Sequence, residues 1–119
     1  MSDQEKKCEE RIDEELTGRV KELKRILKMK DEERASQEIE NISLSFGEDP
    51  LYRAMKWELS YGGPADGFMF FENGTIQYYY QDWFDGAVRD LTSQDYKVLR
   101  EIWYRFFDGM LEETEKYEF

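Results

Sequence analysis

From Met55 onward the apolar residues return at every second position. Met55, Trp57, Leu59 and Tyr61 alternate with Lys56, Glu58 and Ser60. A period of two describes a strand with one dry face. The pattern continues through two aromatic runs, residues 68–72 and 75–81, separated by Asn73-Gly74. That dipeptide is a strong hairpin signal, because both residues tolerate positive φ. A two-residue turn there pairs Phe71 with Ile76 and Met69 with Tyr78, and sets those side chains with Tyr80 on the core face. Phe68, Phe70, Glu72, Gln77 and Tyr79 then fall on the wetter face. Asp85-Gly86 predicts a second turn leading into residues 87–91, with Asp82 opposite Arg89. Alternation would send both charges inward, so a bulge or a twist near Trp83 is expected.

Helical spacing brackets this region. Ile12, Leu16, Val20, Leu23 and Leu27 step by threes and fours, predicting a helix over about 5–30. Its acids come early and its bases late, which complements the helix dipole. Asp31 is placed to cap a second helix carrying Ala35, Ile39, Ile42 and Phe46 on one face. Ile42, Leu44 and Phe46 also alternate, so a short strand is the alternative there, and a single rod and a helical hairpin both fit the two helical segments. Thr92 or Ser93 caps a last helix with Leu99, Ile102, Trp103, Phe106 and Met110 as its apolar face, ending near Gly109. The expected architecture is one α+β domain over residues 1–119: mainly helical over 1–48, a three- to four-stranded antiparallel meander over 54–91, a helix over 93–109 packed on the sheet, and a frayed acidic tail over 110–119.

Residue types narrow the chemistry. The chain has 119 residues, no histidine and one cysteine, Cys8. Triads using histidine, zinc sites built from Cys and His, and internal disulfides are excluded by count. Glu9 and Glu10 beside Cys8 disfavour the thiolate that a reactive nucleophile needs. Carboxylates alone can hold Mg²⁺ or run glycoside hydrolysis, but Asp82-Trp83-Phe84-Asp85-Gly86 lacks calcium-loop spacing and the loop over 62–67 lacks the lysine of a phosphate loop. Nothing in the sequence calls for a cofactor, a metal or catalysis. Residues 1–7 are polar and no run approaches a membrane span. The default location is the cytoplasm.

The net charge is −11, from 28 acids and 17 bases. It repels nucleic acid and anionic lipid and attracts basic partners. No lysine or arginine stands between Lys56 and Arg89, a stretch that contains Glu58, Asp66, Glu72, Asp82 and Asp85. These five acids, with Phe70 and Tyr79 as ring anchors, form the candidate partner-binding set. Same-face strand positions repeat every ~6.6 Å, which imitates a phosphate array only coarsely.

The run from Ser60 through Gly62-Gly63-Pro64 to Phe68, continued by residues 76–80 and 82–87, resembles a pattern in small proteins of phages, viruses and plasmids. Size, acidity and the missing histidine are similar to the anti-CRISPR and anti-restriction inhibitors. That resemblance implies no catalytic residues. It implies a protein that blocks the basic nucleic-acid-binding surface of a host enzyme or CRISPR effector. The alternatives are a homodimeric adaptor that pairs through the apolar stripe of the first helix, and a metal-dependent carboxylate enzyme.

Overall fold

The computed structural model describes residues 7–119. Helices α1 (Cys8–Leu27) and α2 (Glu32–Ile42) precede five strands: β1 (Ser45–Asp49), β2 (Ala54–Ser60), β3 (Ala65–Phe71), β4 (Ile76–Asp82) and β5 (Asp85–Asp90). Helix α3 (Ser93–Ile102) follows. The strands form one antiparallel sheet in the order β1-β2-β3-β4-β5. The α+β class and the C-terminal helix packed on a meander stand as expected, with five strands in place of three to four. The expected helix start at Glu5 lies outside the described residues. No helix among them is long and apolar enough to cross a membrane.

The stripe of α1 is consumed by this fold. Ile12, Leu16, Val20 and Leu23 are buried with Cys8 and Ile26 in the core shared with the sheet and α3. This removes the apolar seam proposed for a homodimer. The chain breaks after Leu27, so α1 and α2 are two helices. Asp31 caps α2 by accepting from the Glu33 and Arg34 N–H groups. Arg105 pins the corner from afar, donating to the Leu27 and Met29 carbonyls and pairing with Glu32 at 2.8 Å. The alternating segment after α2 resolves as strand β1, inside the range expected to be helical. Phe46 on β1 stacks on Phe107 at 4.2 Å.

Gly18 sits mid-helix on α1, and a Cβ there would meet nothing within 4 Å. Gly18→Ala is therefore expected to raise stability by about 0.5–1 kcal/mol, since helical glycine carries that entropic penalty. A thermal melt with a higher midpoint checks this.

Two registers differ from expectation. Phe70 pairs with Ile76 and Phe68 with Tyr78, because the Phe71 N–H donates to the Thr75 carbonyl across a three-residue loop. Gly74 takes φ 91° there, as a three-residue hairpin loop requires. The extra loop residue flips β3, so Phe68 and Phe70 enter the core with Ile76, Tyr78 and Tyr80, while Met69 and Phe71 lie on the far face. In the next hairpin Asp82 faces Asp85 and Tyr78 faces Arg89, putting Trp83-Phe84 at the turn. No bulge arises near Trp83; the irregularity lies between Glu58 and Ser60. Arg89 faces the helices harmlessly, since Glu9 and Asp13 of α1 meet it at 2.8 and 3.0 Å.

The C-terminal helix changes pitch. After Ile102 a single π-helical turn, Trp103–Phe107, is closed by the Asp108 N–H on the Trp103 carbonyl. The added residue turns Phe107 fully into the core, leaves Phe106 half-buried against it, and exposes Met110. The expected tail is docked, not frayed. A 3₁₀ turn, Glu112–Lys116, buries Thr114, and Tyr117 and Phe119 pack against Trp103.

Candidate functional site

The β2–β3 and β4–β5 loops lie at the same end of the sheet, because Ala65 pairs with Gln81. They carry the most exposed large rings of the described chain: Tyr61 at 84%, Trp83 at 84% and Phe84 at 99%. Singly exposed apolar residues are ordinary on protein surfaces; three large exposed rings at one end of a sheet are not. The loops touch. A Cβ on residue 63 would come within 3.1 Å of the Trp83 indole nitrogen and 3.5 Å of an Asp82 oxygen, so a larger residue there would push the Trp83 ring aside. Gly62 takes φ 93°, a left-handed backbone conformation that favours glycine.

The start of α1 braces this end. Asp85 accepts the Cys8 N–H at 2.7 Å, standing in for a cap that Lys7 does not supply. Caps of this kind contribute about 1 kcal/mol. Arg11 lies 3.7 Å from Asp82 and over the Tyr80 ring. Asp82 also accepts the Trp83 N–H. Burial and then the Asp85 charge push the Cys8 thiol up, away from a reactive thiolate. Glu9 and Asp13 pair with Arg89 farther along β5. Arg11 faces Asp82, exposed Lys7 adjoins Cys8 at the same end, and Asp82 and Asp85 are the acids that flank the rings.

The seven residues expected to form one surface do not. Asp82 and Asp85 come together at one turn, and Glu58 and Tyr79 meet through Lys56 on the helix-free face. Glu58 lies on the helix-free face of the sheet, accepting from Ser45 and facing Lys56 at 3.3 Å. Glu72 lies at the opposite end of β3, near Lys116 at 3.9 Å. The sheet ends are about 20 Å apart. Phe70 is 0% exposed and packs on Trp103 and Phe107. Tyr79 is 6% exposed, its ring over Gly67 with Lys56 above it. Burial and then Glu58 raise its hydroxyl pKa. Neither ring can anchor a partner.

Asp66 is the most decisive correction. It is 3% exposed and takes a two-pronged contact from Arg19, Nε at 2.7 Å and Nη2 at 2.8 Å. Tyr78 donates at 2.6 Å, and Ser60 donates to the other oxygen while accepting the Asp66 N–H. Burial alone would raise this carboxyl, but the donors from Arg19, Ser60 and Tyr78 outweigh it and hold it below the ordinary range. Burial and the bond to Asp66 raise Tyr78 in turn. The cluster fastens α1 to the sheet.

The exposed rings were hidden by the misplaced turn. Two residues between Asp82 and Asp85 must leave the sheet, and reading them as the loop would have exposed Trp83 and Phe84. Among the described residues, no group of three acids or cysteine converges as a metal-ligand set. No family model, curated protein or solved structure matches the chain.

Proposed function

We propose that this protein is a non-catalytic binder that docks on a basic partner protein through Tyr61, Trp83 and Phe84. The observation that carries the reading is the exposure of three rings on two touching, braced loops, with Asp82 and Asp85 flanking Trp83 and Phe84. Aromatic anchors dominate binding energy, whereas flanking carboxylates chiefly steer encounter. The inhibitor class that the sequence resembles gives the specific form: in the host cytoplasm, the ring-bearing end covers the basic nucleic-acid-binding surface of an enzyme or effector. Phosphate imitation by a five-carboxylate array is not part of this reading, since Asp66 is buried and the others are dispersed.

Pull-down with wild-type chain at low and high salt should capture a basic protein. Trp83→Ser with Phe84→Ser is expected to lose it by more than tenfold, in the range of hot-spot truncations. Glu58→Lys with Glu72→Lys should retain it. Capture that survives the ring variant and fails with the Glu58/Glu72 variant would show that the sheet face or the opposite end is the site.

A further inference from the structure

We infer that two copies of this chain pair antiparallel through the outward face of α1, around a two-fold axis beside Gly18. Glu10, Glu14, Thr17, Lys21, Lys24 and Lys28 step by four and three along that face and are all exposed. This is a continuous helical seam, opposite the stripe that enters the core. Antiparallel alignment brings Glu10 to Lys28 of a second copy, Glu14 to its Lys24 and Thr17 to its Lys21. The same patch serves both copies, as an isologous interface requires.

Three observations carry this. The seam is self-repulsive within one chain: Glu10 with Glu14, and Lys24 with Lys28, are like charges at i,i+4 spacing, which destabilises a lone helix. Among the described residues, none of these five charged side chains has an ion-pair partner. Gly18 weakens the helix, yet the fold makes no use of its missing side chain. A glycine beside the axis lets two helix backbones approach closely. A shallow trough lies over it, lined by Gly18, Lys21, Glu22, Lys24, Arg25 and Lys28. Macrodipole compensation accounts for charge in the terminal turns; it gives no role to Gly18.

The partner is a second copy because the face supplies both halves of its own charge complement. Exposed ion pairs are individually weak and screened, so the dimer is a low-affinity one. Sedimentation equilibrium of the full chain at about 20 mM salt should show dimers, with affinity at least tenfold lower at about 500 mM salt. Glu10→Lys with Glu14→Lys, and Lys24→Glu with Lys28→Glu, should each give folded monomers by circular dichroism, and their equimolar mixture should associate again. Gly18→Leu should stay folded and monomeric, while Trp83→Ser with Phe84→Ser should dimerise like wild type. A wild type that is monomeric at low salt, reversed-charge chains that fail to associate when mixed, or a Gly18→Leu chain that dimerises normally would each overturn the proposal.

Discussion

Asp66→Ala is expected to cost the fold about 3 kcal/mol, read as a lower urea midpoint at unchanged slope. Removing one member of a buried ion pair costs about 3–5 kcal/mol, because the other charge is left without compensation. The lower end applies here. Arg19 keeps a quarter of its side chain in solvent and has Glu22 at 3.6 Å. Tyr78 and Ser60 lose their acceptor as well. Domains of this size are stable by about 5–15 kcal/mol, so one substitution removes a large share. The pH dependence has a definite sign. The native carboxyl titrates below its unfolded value, near pH 4. Its contribution is therefore full above that value and is lost as pH falls through the native one. Asp66→Asn should consequently flatten the acid limb of the stability curve, bringing mutant and wild type closer as pH falls below the unfolded carboxylate range and through the lower native value. A difference that grows on acidification would contradict the assignment.

Trp103→Ala is expected to be at least as damaging, about 3–5 kcal/mol, the range for deleting a buried ring. Trp103 is fully buried and sits among Phe46, Phe70, Phe107, Tyr117 and Phe119. Its loss would unseat β1, the sheet and the docked C-terminal segment together. Trp103→Phe should cost far less. Among the described residues the indole N–H has no hydrogen-bond partner, and removing an unsatisfied buried donor recovers part of its desolvation penalty, about 1–3 kcal/mol. Chemical denaturation of both variants checks the order. Equal losses would mean that the ring's full size, not its aromatic packing, sets the core.

Periodicity made most of the elements legible. The α1 stripe, the Asp31 cap and the alternation of β2 each follow from neighbours close in sequence. Asn73-Gly74 located the hairpin but not its loop length. Two- and three-residue loops both accept a glycine at positive φ, and they differ by one residue in register. That single step exchanged the faces of β3 and put Phe70 on the wrong side. The π-helical turn has no local signal, so the swap of Phe106 for Phe107 was invisible. Residues 110–119 read as acid-rich, which masked Tyr117 and Phe119 as core residues. The site suffered most. Arg19 and Asp66 are 47 positions apart, and Arg11 and Asp82 are farther still. An absence of bases along the chain therefore said little about neutralisation in space.

Hydrogen exchange on the complex with the captured basic partner tests the binding claim most directly. Slowed exchange at Tyr61–Gly63 and at residues 82–86, with residues 45–58 unchanged, is the predicted footprint. Protection confined to β1, β2 and the helix-free sheet face, with the two ring-bearing loops exchanging as in the free chain, would contradict it.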